Sequence, residues 1–232
     1  MSEKIKVKKT KEELLEILVV ILLGVTAVFT AWASWIGSLH GGNQATNYTK
    51  SNNISADGNA RWNEASQLLA QDMRLWDEIS GLMIDLSFAQ EINNDMEVQR
   101  INWVLEKLYA DNVSQELEEA ITWANEQEEY VSPFAMEGFI DSYYVDAASV
   151  LSESQMVIEQ GQQDNRNGDA FGLVTVIYSL ILFLIGIAGS FKSLTNKYIL
   201  IVISITGIVL TTTYMMTIPL PTGFDIMAFF GK

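Results

Sequence analysis

The chain has 232 residues, a net charge of −15, a single His and no Cys. The acid excess excludes a nucleic-acid-binding role, because phosphates demand Lys and Arg. The absence of Cys removes disulfides, thiolate catalysis and thiolate metal sites together. The 49% of apolar residues is ordinary in amount, but it is gathered into three runs. That segregation points to a membrane protein with a water-soluble portion.

Residues 1–13 form a basic tail carrying Lys4, Lys6, Lys8, Lys9 and Lys11. The first apolar run, 14–36, has no charge from Ile17 to Ile36. About 20 apolar residues at 1.5 Å each cross a hydrocarbon core, and helix is the form that satisfies a single span's backbone in lipid. The lysines keep the amino terminus in the cytoplasm, and Trp32 and Trp35 suit the far interface. A cleaved signal peptide shares this outline, with Ala31-Trp32-Ala33 as its small-residue site. Glu12, Glu13 and Glu16 stand where such a peptide needs positive charge, so the run is read as a retained span.

Residues 37–169 are expected to be an extracytoplasmic, acidic, helical domain. They hold 24 acidic and six basic residues, a net charge of −18. The pair Gly41-Gly42 is the expected bend after the span, unless the helix continues through it. From Trp62 to Gln90, apolar residues recur every three or four positions, among them Leu69, Trp76, Ile79 and Met83. This is an amphipathic helix whose stripe faces a core. Asp72 interrupts the stripe, either fixing register or turning to solvent or a neighbouring helix. A helix over 94–110 follows, with Met96, Ile101, Val104, Leu105 and Leu108 as apolar positions. Asp111-Asn112 breaks it. Ser114 is placed to cap the next helix, with Glu116, Glu118 and Glu119 near its favourable end, and that helix is expected to end near Glu129. Ser132-Pro133 signals a further helix start, running to about Gln160. The polar stretch 161–169 is a connector or a frayed joint.

The second span is 170–190, the cytoplasmic loop 191–197 with Lys192 and Lys197, and the third span 198–218. Residues 219–232 are apolar with one Asp and lie along the outer interface. The expected topology is a multi-pass protein of the cell membrane, amino terminus cytoplasmic and carboxyl terminus extracytoplasmic.

The stretch Leu14 to Gln44, with Thr30-Ala31-Trp32-Ala33 and Gly42-Asn43-Gln44, resembles the opening of a prokaryotic family of three-span membrane proteins of no assigned function. Asn43 replaces an acid of the family's Gly-Glu-Gln-like turn. Ala70-Gln71-Asp72, Ser132-Pro133-Phe134-Ala135-Met136 and Gly172-Leu173-Val174-Thr175 are similar too. The resemblance supports three spans and implies no chemistry.

No catalytic, cofactor or metal site is expected, and no enzyme. His40 beside two glycines makes a poor metal site without a second strong ligand and is read as solvated or interfacial. Glu116/Glu118/Glu119 and Glu126/Glu128/Glu129 could collect Ca²⁺, but positions i and i+2 point apart on a helix, so a solvated face is the better reading. The stretch 164–169 has the wrong first and twelfth residues for a Ca²⁺ loop. Asn47, Asn53 and Asn112 head glycosylation sequons. Gly24, Gly186 and Gly189 offer weak close-packing signals. The spans hold no central charge, which counts against a coupled transporter. The expected function is structural or interactive: an integral membrane protein presenting an acidic helical module to sibling subunits or a membrane partner. The alternatives are an oligomeric cation pore with Thr206 and Thr213 on its axis, and a sensor or accessory subunit lacking an output domain.

Overall fold

The computed structural model describes residues 11–191 and 193–226. Lys4, Lys6, Lys8, Lys9, Lys192 and residues 227–232 lie outside the described residues. The described chain is all-α: α1 is Lys11–Glu91, α2 Asp95–Asn112, α3 Gln115–Asn125, α4 Phe139–Ser190 and α5 Leu194–Met215, with one 3₁₀ turn at Pro133–Ala135. Three of these helices, α1, α4 and α5, are long and apolar enough to cross a membrane. The chain divides into two compact units. The first is Met1–Lys50 with Met156–Lys232, and the second is Ser51–Gln155.

In the first unit the apolar parts of α1, α4 and α5 pack around Val19, Ala33, Ile36, Phe171, Tyr178, Ile185 and Ile201. Their outer faces are apolar as well: Val20, Val28, Phe183 and Leu210 are all exposed. A helix apolar all round belongs in lipid or deep inside a protein, so the exposed faces agree with the spans. The Tyr178 hydroxyl meets Thr212 Oγ1 at 2.7 Å, joining α4 to α5. At the opposite end Lys197, in the first turn of α5, is buried with its ammonium 3.7 Å from Glu16. The sequence placed Lys197 in a loop; the loop is shorter, because Ser193 already begins α5.

Neither expected break interrupts a helix. α1 continues through Gly41-Gly42, and α4 runs unbroken from 139 to 190, carrying the polar stretch 161–169 as helix. A Cβ on Gly41 or Gly42 would meet no atom within 4 Å, whereas Gly37, Gly161 and Gly168 are contact points between the two helices. A Cβ on Gly37 would lie 3.3 Å from the Phe171 Cβ, one on Gly168 would lie 3.4 Å from the His40 Cβ, and one on Gly161 would strike the Tyr48 ring at 2.6 Å. Close approach of α1 and α4 is therefore available only without side chains at these positions. The helical hydrogen bonds kept by both helices outweigh the ~1 kcal/mol that a helical glycine costs.

The second unit gathers the rest of α1 and α4 with α2 and α3. Ser51 and Ser154 exchange hydrogen bonds, each hydroxyl donating to the other's carbonyl at 2.9 Å. Its core is Leu75, Trp76, Ile79, Leu117, Ala120, Ile121 and Phe139. Local chemistry sets the ends of its helices. Asn93 takes a left-handed conformation (φ 54°) after α1, which Asn tolerates. Asn94 caps α2 by accepting from the Glu97 amide, and Ser114, as expected, caps α3 by accepting from the Leu117 amide. α3 stops at Asn125, short of Glu129. Ser132-Pro133 starts only a single 3₁₀ turn, because Gly138 (φ 78°) redirects the chain before α4 begins at Phe139. Asp72 does bond a neighbouring helix: it accepts the Tyr143 hydroxyl at 2.5 Å.

Candidate functional site

Two constellations stand out, one in each unit. The first is built on His40. The sequence reading put this side chain in water or at an interface; it is instead 1% exposed. Its position on α1 faces α4 because Gly168 leaves room for it, and the Phe171 ring stacks on it at 5.8 Å. His40 Nδ1 lies 2.9 Å from Asp164 Oδ1, and Nε2 lies 3.0 Å from the Pro219 carbonyl. Asp164 Oδ2 accepts from Asn47 Nδ2 at 3.1 Å, and Asn43 Nδ2 donates to the Thr222 carbonyl at 3.1 Å.

The proton count follows from donor chemistry. A carbonyl only accepts, so Nε2 carries a hydrogen. The contact between Nδ1 and Asp164 then requires one more proton, held on either atom. Both ring nitrogens are engaged, so His40 has no free lone pair for general base catalysis or for a metal. Among the described residues no three His, Asp or Glu side chains converge as a metal site. A polar cleft of about 490 Å³ borders the cluster, lined by Asn43, Asn47, Gln160, Gln163, Asn167 and Pro219 among others. The arrangement is a clamp. It ties the segment after the third span to α1 and α4, and Phe224 adds ring contacts with Trp32 and Trp35 at 6.0 and 5.8 Å. The expected tail over 219–232 is thus packed on α1 where it is described. Asn47 spends its amide nitrogen in the clamp, whatever its sequon suggests.

The second constellation lies in the second unit. The C-terminal part of α1 and the loop after α3 border a groove of about 380 Å³, lined by Trp76, Ser80, Met83, Ile84, Ser87, Tyr130 and Val131, with Glu128 and Glu129 in its wall. Met83 was expected in the core with Trp76. Trp76 is buried, but Met83 is 40% exposed and lies outside the buried cluster, whose last member on α1 is Ile79. Ile84 and Phe88, four residues apart on one face, are 71% and 62% exposed.

The titratable groups of the second unit that depart from their ordinary range belong to its packing and its surface pairs. Burial, reinforced by the Asp72 carboxylate it bonds, raises the Tyr143 phenol well above its usual range. Burial and Glu118 raise Tyr109 in the same direction. On the surface, Arg100 bonds Glu97 and lowers that carboxylate. Glu116, Glu118 and Glu119 sit on α3, and Glu126 is its C-cap.

Comparison with protein-family models, with curated proteins and with solved structures gives no match. The functional reading therefore rests on the chain's own residues. Sequence reasoning missed the clamp because its partners are 124 residues apart and its seam is not apolar. A signal existed: His40, Asn43 or Gln44, Asn47 and Ser51 recur at helical spacing on α1, and Ser154, Val157, Gly161, Asp164 and Gly168 do so on α4.

Proposed function

We propose that the protein is an integral membrane protein of structural or interaction type. In this reading three spans anchor it, the amino terminus is cytoplasmic, and the acidic second unit is presented on the extracytoplasmic side as a docking module. The observation that carries the reading is the groove beside Trp76, with Ile84 and Phe88 left exposed next to it. Neither residue lies in an apolar run that lipid would cover, and burying such side chains contributes about 1.5–3 kcal/mol each. Contiguous exposed apolar surface of this kind marks interaction sites. The His40 clamp fits a structural role, since it spends its polar atoms on holding chain to chain. Thr206 and Thr213, the residues a pore reading needs, donate to the carbonyls of Val202 and Val209 on their own helix, which favours packing over a water-lined axis.

The test is site-specific photo-crosslinking in intact cells. A photoreactive residue at Ile84 should give a discrete adduct absent when the same residue replaces Gln67, an exposed position outside the groove. Equal labelling at both positions, or none at either, would sink the docking reading.

A further inference from the structure

The charge around the groove identifies the chemistry of its occupant, on the assumption that the docking reading above holds. α1 carries no basic residue after Arg74, while Asp77, Glu78, Asp85 and Glu91 follow it. The opposite wall carries Glu128 and Glu129, and no Lys or Arg occurs between Lys107 and Arg166. The floor and lip are apolar: Trp76, Met83, Ile84 and Tyr130. A second copy of this unit would bring acids against acids, which is unfavourable across an interface. An apolar lipid tail would leave the acidic walls unanswered. An occupant with two or three apolar anchors at helical spacing, flanked by Lys or Arg, satisfies both features.

We infer that the groove receives a cationic amphipathic segment of a partner protein, laid against the face of α1 that carries Ile84 and Phe88. This is the helix-in-groove mode, in which apolar anchors supply affinity. The flanking charges supply orientation and a salt-sensitive encounter rate.

The experiment uses the full chain in nanodiscs of zwitterionic lipid and three synthetic 14-residue peptides. One is an amphipathic Leu/Lys helix, one is its Leu/Glu counterpart, and one has the Leu/Lys composition with scrambled periodicity. Binding is followed by anisotropy of a dye on the peptide. The Leu/Lys helix should bind at least tenfold more tightly than the other two and weaken as salt rises from 50 to 300 mM. Ile84→Ser with Phe88→Ser leaves the charge unchanged and should weaken binding at least tenfold, which a purely electrostatic attraction would not do. Glu128→Gln with Glu129→Gln should also weaken it, which a purely apolar contact would not do. All four side chains are exposed, and helical circular dichroism confirms that the variants stay folded. Preference for the Leu/Glu peptide would overturn the cationic chemistry while leaving a docking groove. Indifference to the Ile84 and Phe88 changes would overturn the groove itself. Self-association of the protein that disappears with those two changes would identify a second copy as the occupant and overturn the inference.

Discussion

Removing the carboxylate of Asp164 tests the clamp most sharply. Asp164→Ala takes away the acceptor of Asn47 Nδ2 at 3.1 Å and the partner of His40 Nδ1 at 2.9 Å. The side chains of His40 and Asp164 are 1% and 9% exposed, so water replaces little of what is lost. Hydrogen bonds to charged groups are worth about 1.5–3 kcal/mol each, and breaking a buried pair by removing one partner costs about 3–5 kcal/mol. The first unit should lose ~3–5 kcal/mol of stability, and His40→Ala should cost a similar amount while also freeing the Pro219 carbonyl. Asp164→Asn should be milder, about 1 kcal/mol, because neutral hydrogen bonds are roughly half as strong as charge-assisted ones. The amide nitrogen can donate to an unprotonated Nδ1, its oxygen can still accept from Asn47, and Nε2 can keep donating to Pro219. The double variant His40→Ala with Asp164→Ala should cost much less than the sum, since the two share one interaction. The assay is hydrogen exchange in nanodiscs, read on amides of 36–48 and 161–171, whose opening free energies report the local loss. A change below about 1 kcal/mol for Asp164→Ala, or an Asn substitution as damaging as Ala, would refute the proton-holding clamp.

Other outcomes follow from the same packing. Trp76 is buried in the core of the second unit, and Trp76→Ala should cost ~3–5 kcal/mol, the range for large buried aromatics; denaturant unfolding of that unit shifting by less than about 1 kcal/mol would contradict the core assignment. The phenol of Tyr143 is raised, so the folded state keeps a proton that the unfolded chain loses above pH about 10. That contribution to stability is complete below pH ~10 and is lost as pH rises through the folded value. Tyr143→Phe should flatten the alkaline fall in stability, and an unchanged slope would disprove the contribution. Gly161→Leu, which drives a side chain into Tyr48, should destabilise the first unit by ~1–3 kcal/mol. Gly24→Leu meets no atom within 4 Å and should be neutral or gain up to about 1 kcal/mol of helix propensity; equal effects at the two sites in thermal melts would deny the close approach at Gly161.

The apolar runs were legible because lipid-crossing length and lack of charge are one-dimensional properties. The cap at Ser114 was legible because capping acts within three residues. The unbroken course of α1 and α4 was not. Gly41-Gly42 and the stretch 161–169 look like breaks in isolation, and only the approach of the two helices, with Gly37, Gly161 and Gly168 as contact points, reverses that preference. His40 was misread for a related reason. A lone His among glycines has no visible partner, and Asp164 reaches it only when two helical registers coincide. The stripe through Trp76 was read correctly at Ala65, Leu75, Trp76 and Ile79, but Trp62 and Leu68 of the same expected face are exposed, because periodicity carries no information about where covering helices begin and end. Met83, Ile84 and Phe88 lie beyond the buried cluster and are exposed.

The central claim is an acidic helical unit presented outside the cell on a three-span anchor, and labelling of single introduced cysteines tests it most directly. The native chain has no Cys to interfere. Ser114, the cap of α3, and Ser193, at the start of α5, take one cysteine each in separate variants. In intact cells a membrane-impermeant maleimide should modify Ser114→Cys and spare Ser193→Cys until the membrane is permeabilised. Protection at 114 with labelling at 193 would contradict the account.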